Sequence, residues 1–271
     1  MRIQASWLLA AAGVAMVSSA ALADYSRNIT VTAQYAITDN LGNPILGAGG
    51  ETQMRSVPRT FNIDTDFVAE GADAEGTIWY QYTGDTRFGE LSTPDNNPSL
   101  TGMRIGVKAD PMVVANFNVA SGIVNTTFTV QSTLLSYPTI TGGVAVATAA
   151  MSVTDSATFG NVGQISVTGL QAGGNAFAAR FNGNTVNFAN LILSGNASVV
   201  PGSTTVFTGS NASFPLYDTV LAGSTFDMQS EFRFTLSRFD RAAGTSTFEV
   251  IPAPGTAVLI ALGGLTVARR R

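Results

Sequence analysis

The stretch "EFRFTLSRFDRAAGTSTFEV", Glu231 to Val250, alternates apolar and polar side chains with a period of two at both of its ends. Phe232, Phe234 and Leu236 fall on one face of the first half, and Phe248 and Val250 on one face of the second. Successive side chains of a strand point to opposite faces, so this period marks half-buried strands. The spacing predicts a hairpin, its two apolar faces paired across a loop around Gly244. Its second strand then runs straight into Ile251 and Pro252.

The same period recurs upstream. Val31, Ala33, Tyr35 and Ile37 share a face, as do Ile78, Tyr80 and Tyr82, then Ala115, Phe117 and Val119, then Val124, Thr126, Phe128 and Val130. In "AFAARFNGNTVNFANL" the Asn182-Gly183 pair suits the positive φ angles of a tight primed turn. Phe177, Ala179 and Phe181 precede it, and Val186 and Phe188 follow. No segment between Asp24 and Val250 carries the 3.6-residue period of an amphipathic helix. The expected fold class is therefore all-β, an antiparallel, jelly-roll-like β-sandwich over 24–250. Its length is ample for one core. Most acids lie between Asp24 and Asp110, which raises a separate subdomain as the alternative. With no Pro- or Gly-rich linker at the junction, one sandwich is favoured.

The two ends of the chain read differently. "MRIQASWLLAAAGVAMVSSAALA" has Arg2 in a basic head, an apolar stretch from Trp7 to Val17, and small residues ending in Ala21-Leu22-Ala23. That pattern predicts a secretory signal peptide helix over 1–23, cut between Ala23 and Asp24, with Ala21 and Ala23 as the small residues of the cleavage site. The other end is "IPAPGTAVLIALGGLTVARRR". Its uncharged run from Ala257 to Ala268 would reach roughly 18 Å as a helix, against a hydrocarbon core of about 30 Å. Snorkelling arginines let so short a helix span marginally, and the positive-inside rule keeps Arg269, Arg270 and Arg271 cytoplasmic.

Pro252-Ala253-Pro254-Gly255, a short apolar helix and a terminal arginine cluster together resemble the PEP-CTERM sorting signal of bacterial exported proteins. The resemblance is confined to the tail, 251–271, and Ala253 stands where the family has an acid. It implies a bacterium with an outer membrane, a tail recognised and cut by a membrane-embedded exosortase-like protease, and a role at the cell surface tied to exopolysaccharide or biofilm. Signal peptidase is the other expected partner. The membrane holds the tail before processing. Physically, Pro252 and Pro254 keep the chain extended and out of the following helix, which presents backbone to a protease. The bland alternative is a plain C-terminal anchor.

Composition narrows the chemistry. All 18 acids but only ten of the 14 bases lie between Asp24 and Val250, so that segment has a net charge of −8. Nucleic acid, which needs clustered Lys and Arg, is not an expected partner. The chain has neither Cys nor His. Thiol nucleophiles, Ser-His-Asp triads and the usual zinc ligands are thereby excluded. A carboxylate glycosidase or an oxygen-ligand calcium site remain open. No cofactor is expected, and the favoured reading is non-enzymatic.

Three stretches carry candidate sites. In "NIDTDFVAEGADAEG", Asp64, Asp66, Glu70 and Glu75 take calcium-loop spacing, but Val68 and Ala69 stand where a ligand and the turn glycine belong. A solvated acidic loop is therefore the favoured reading. In "TIWYQYTGDTRFGE", Trp79 points opposite to Tyr80 and Tyr82, so either face offers an aromatic platform for a sugar ring, with Asp85, Arg87 or Glu90 as polar partners; ordinary core packing is the favoured reading. A lectin or carbohydrate-binding module would use that platform, and a glycosidase would draw its acid pair from Asp85 and Glu90. Four Asn-x-Ser/Thr triplets, at Asn28, Asn125, Asn196 and Asn211, read as products of an Asn-, Ser- and Thr-rich composition in a bacterial protein.

Overall fold

The structure, a computed structural model, describes residues 24–39, 43–89, 97–108, 110–155, 164–198, 201–210 and 219–252. The expected signal peptide, 1–23, and the tail beyond Pro252, with its short hydrophobic helix, lie outside the described residues. So does Glu90.

In chain order the elements are β1 (Asp24–Tyr25), β2 (Asn28–Ala36), β3 (Met54–Asn62), the one-turn helix α1 (Ile63–Asp66), β4 (Val68–Ala72), β5 (Ile78–Tyr82), β6 (Thr86–Arg87), β7 (Ser99–Lys108), β8 (Met112–Ala120) and β9 (Thr126–Gln131). They continue with β10 (Leu135–Thr141), β11 (Gly143–Thr154), β12 (Gln164–Gly169), β13 (Asn175–Phe181), β14 (Val186–Leu193), β15 (Gly195–Ser198), β16 (Thr204–Ser210), β17 (Ser224–Leu236) and β18 (Arg241–Pro252). All the pairings between these strands are antiparallel, and they form two sheets.

The first sheet is organised around β17. Phe232 is paired with Val130 on one side and Phe177 on the other, and Met228 with Leu135 and Phe181. Thus β9 and β10 run end to end along one side of β17, and β12 and β13 along the other. Next to them lie β2 and β1 on one flank, closed by β3, and β14 and β15 on the other. The second sheet has the order β16-β11-β18-β8-β7-β5-β4, with β6 extending the β5 lane along β7. The chain changes sheets between β3 and β4, β8 and β9, β10 and β11, β11 and β12, β15 and β16, β16 and β17, and β17 and β18, and the result is the antiparallel β-sandwich expected from the sequence.

The sheets enclose one apolar cluster to which both the acidic N-terminal part and the charge-poor remainder contribute, from Ile29 to Val250. The chain up to Lys108 supplies β2 and β3 to one sheet and β4 to β7 to the other, so the acidic segment is woven into both layers. Aromatic side chains dominate the interface between them. Phe117 of the second sheet has its ring centroid 4.9 Å from Phe232 and 6.2 Å from Phe234, and Phe248 lies 4.8 Å from Phe181. Each such fully buried side chain contributes about 1.5–3 kcal/mol.

Most of the alternation falls where the sequence puts it. Val31, Ala33 and Tyr35 are buried, as are Ala115, Phe117 and Val119, and Thr126, Phe128 and Val130. Ile78 departs from its row and is exposed. The β13–β14 hairpin forms, with Phe181 paired to Val186. Its turn is centred one residue later than expected: Thr185 N donates to Asn182 O, and Gly183 and Asn184 between them have φ of 66° and 65°.

The hairpin expected at Glu231–Val250 does not form. β17 belongs to the first sheet and β18 to the second, and Gly244 lies inside β18, paired with Met151 and Phe117, rather than in a loop. The connection is residues 237–240, held by Ser121 Oγ, which donates to the carbonyls of Ser237 and Asp240. Periodicity reports which face of a strand is buried and is silent on its neighbour. The apolar faces of these two strands meet across the core instead of side by side.

Candidate functional sites

β5 sits between β7 and the edge strand β4, and its alternation sends Tyr80 and Tyr82 one way and Trp79 the other. Tyr80 and Tyr82 pack against the core. The Tyr82 ring lies tilted against Phe61 at 5.0 Å and Phe67 at 5.8 Å between centroids, and its hydroxyl is 2.6 Å from Thr86 Oγ1. Tyr80 Oη meets Tyr25 Oη at 2.5 Å. Arg27 stacks 4.4 Å from the Tyr25 ring, donates to its oxygen and pairs with Asp64 at 3.1 Å. Burial first, then the hydrogen bond to Tyr80, pushes the Tyr25 phenol up to about 12.

Trp79 lies on the outer face of the second sheet, over Gly106, where an added Cβ would come within 2.8 Å of the indole. Its Nε1 donates to Asp73 Oδ2 at 2.7 Å, and the Arg104 guanidinium stands 4.0 Å from the ring centroid. Arg104 in turn pairs with Glu70 at 2.7 Å. The hydrogen bond from Trp79 is the main reason the Asp73 carboxyl is held below its ordinary value, with the Thr77 and Glu75 amides adding to it. The three aromatic residues named as candidate sugar contacts therefore do not form one surface. Tyr80 and Tyr82 serve the core, and a sugar ring on Trp79 would have to compete with Arg104.

The residues of the candidate calcium loop are spread apart by the fold. Asp64 and Asp66 lie on α1, where Asp66 Oδ2 accepts from Asn62 N at 2.7 Å and Asn62 Oδ1 caps Asp64 N at 2.9 Å. Glu70 is on β4, turned to Arg104, and Glu75 lies beyond that strand in the turn to β5. An edge strand between the carboxylates spreads them along the sheet. Among the described residues no group of three or more His, Cys, Asp or Glu side chains could hold a metal ion. Asp85, one half of the hypothetical acid pair, is engaged with Arg87 at 3.1 Å.

One polar cluster escapes the alternation pattern. Glu231 is buried on β17; its Oε1 accepts from Gln171 at 2.6 Å and its Oε2 from Gln131 at 2.7 Å, with Arg180 Nη1 at 3.3 Å. Arg180 also donates to Gln171 Oε1 at 2.6 Å. The available sequence signal is the isolation of Arg180, which with Asp155 supplies all the charge between Pro111 and Tyr217. The geometry is that of a satisfied ion pair fastening β13 to β17, beside Gln131 of β9.

At the C-terminal end, β18 is paired with β11 along its whole length, to Ile251 opposite Val144 and Pro252 opposite Gly143. Pro252 is exposed. At the other end Asp24, expected to follow the signal cleavage, is paired with Ser136 in β1. Ala21, Ala23, Ala253, Pro254, Gly255 and Arg269 to Arg271 lie outside the described residues.

No family model matches the chain, and no curated protein does. Among solved structures, "Structure of infectious bursal disease virus Gx strain" is similar over 85% of this chain and 66% of that one, at 9% identity and a TM-score of 0.17. "Structure of infectious bursal disease virus Gt strain" matches over 84% and 65%, at 9% identity and a TM-score of 0.13. The chain thus spans just under two thirds of those proteins' lengths. TM-scores this low carry no conclusion about topology or role.

Proposed function

We propose that this chain is a non-enzymatic exported protein of the bacterial cell surface or extracellular matrix, sorted through a PEP-CTERM-like tail and associated with exopolysaccharide. Signal peptidase removes 1–23. The tail then holds the protein in the inner membrane until an exosortase-like protease acts near Pro252 to Gly255. The observation that carries this reading is the course of β18: the last described strand runs in register to an exposed Pro252, the first residue of the sorting motif. A cut there would leave the paired strand and the core whole. The −8 charge of 24–250 suits a soluble domain released outside the cell.

The deciding experiment is intact mass of the protein from its native host, with cell-associated and secreted fractions compared. A mass ending between Pro252 and Thr256, with or without an added lipid or glycan, is the expected result. A chain still ending at Arg271 and staying with the membrane would reduce the tail to an anchor.

A further inference from the structure

The sandwich has four lateral edges, and they are not alike. On one side β3 carries Pro58 with Arg55 and Arg59, and β4 carries Glu70 and a register shift at Gly71, whose φ is 93°. Prolines, charges and bulges are the devices that keep sheet edges from pairing with another chain. On the other side, β14 and β15 are interrupted where Ile192 takes a φ of 67°. β16 has none of these features. It pairs with β11 without a register shift from Thr204 to Ser210, is the last strand in its sheet order among the described residues, and contains no charge and no proline.

The surroundings of β16 extend the contrast. It packs under β14 and β15, where Gly209 sits against Leu191 and Gly195 against Phe207. Residues 186–210 contain no charged side chain, and Val186, Leu193 and Val206 are exposed there, the last two by 67% and 62%. The ion pairs Arg27–Asp64 and Glu70–Arg104 stand on the opposite side, with β3 and β4. A strongly acidic domain thus leaves one wall neutral and mildly apolar, ending in a regular strand edge. Two copies approaching by this wall bring no charges together and so meet no like-charge repulsion there.

We propose that β16 is a self-association edge, at which two copies pair their β16 strands antiparallel about a two-fold axis and continue one sheet into the other. This goes beyond the sorting role and does not depend on it. Thr204 to Thr208 supply the ladder, with Val206 opposite its symmetry mate and Thr204 opposite Thr208 on its outer face. Five residues of edge pairing cover less than the ~1,600 Å² of a standard interface. The association is therefore weak and concentration-dependent, of the kind that gains from many copies held on one surface.

Sedimentation velocity of the full chain over a concentration series tests it, alongside the same chain carrying Val206→Lys, Thr208→Lys or Val68→Lys. All four species share any contact made through the two ends. The expected result is a dimer in wild type that Val206→Lys and Thr208→Lys each weaken by roughly tenfold or more, and that Val68→Lys, on the opposite edge, leaves unchanged. Residues 206 and 68 are both exposed, so equal melting temperatures keep the comparison fair. A wild-type chain monomeric throughout, including one that bound polysaccharide as a monomer, would overturn the proposal. So would a dimer indifferent to both β16 lysines.

Discussion

Tyr25 and Tyr80 place their phenolic oxygens 2.5 Å apart and so join β1 of one sheet to β5 of the other. Burial, then this bond, pushes the Tyr25 phenol up to about 12, and burial pushes Tyr137 to about 12 as well. Both values lie above the ordinary 10, so the neutral forms are the ones that the fold favours. Their contribution to stability is complete below pH 10 and is lost as pH rises toward 12. Thermal melting should therefore hold level up to about pH 10 and fall between about 10 and 12, less steeply in Tyr25→Phe. A Tm that ignores that window in wild type would contradict the assignment.

Arg180 and Glu231 should respond unequally to removal. The Glu231 side chain is 9% exposed and that of Arg180 22%. Arg180→Met strands the more buried charge and should cost about 3 kcal/mol. Glu231→Gln leaves the better-hydrated partner unpaired and should cost about 1 kcal/mol. The double variant Arg180→Met with Glu231→Gln should be more stable than Arg180→Met alone. Urea unfolding of the three, read as a double-mutant cycle, checks the order.

Gly244→Ala separates the observed strand from the loop that periodicity suggests. In β18 the added Cβ would lie 2.3 Å from the Phe117 ring, in the middle of the core. Overpacking of this kind costs about 1–3 kcal/mol. A solvent-facing loop glycine at ordinary φ would accept alanine with little change. Chemical denaturation distinguishes the two.

Ser246 presents a gain instead of a loss. Its Oγ is buried with no hydrogen-bond partner, and the residue is paired with Ala149 on one side and Ala115 on the other. Ser246→Ala deletes a desolvated hydroxyl and introduces no new atom. It should stabilise the domain by about 1 kcal/mol, seen as a higher midpoint at an unchanged denaturant slope.

These residues also show how far the sequence could be read. The inward rows at Val31 to Tyr35, Ala115 to Val119 and Phe128 to Val130 are visible because the side-chain period is fixed by backbone geometry, whatever the neighbours. The β13–β14 hairpin is legible for a local reason, the positive φ angles that Asn and Gly tolerate. Phe232 and Phe248 mark the boundary of such inference: the same pattern fits two strands side by side or facing across a core, and only long-range pairing decides. The acidic loop, whose calcium pattern already breaks at Val68 and Ala69, is also stretched along the sheet by β4, which ligand spacing alone cannot reveal. Glu231 was hidden because an outward charge reads as surface until Gln131, Gln171 and Arg180, 51 to 100 positions away by number, close over it.

The pairing of β18 has a mechanical meaning. Its 12 residues face β11 along their whole length, and nine of them, Arg241 to Glu249, face β8 on the other side. A pull on the chain beyond Pro252, directed along the strand, loads both ladders in shear, so many hydrogen bonds must yield together. A pull on Asp24 meets only the two-residue β1 at its edge, which peels one bond at a time. Single-molecule extension should accordingly give a higher rupture force from the C-terminal handle. The domain is built like a rivet set at one end: a chain held by its tail keeps its fold under drag, and one held by its head frays first.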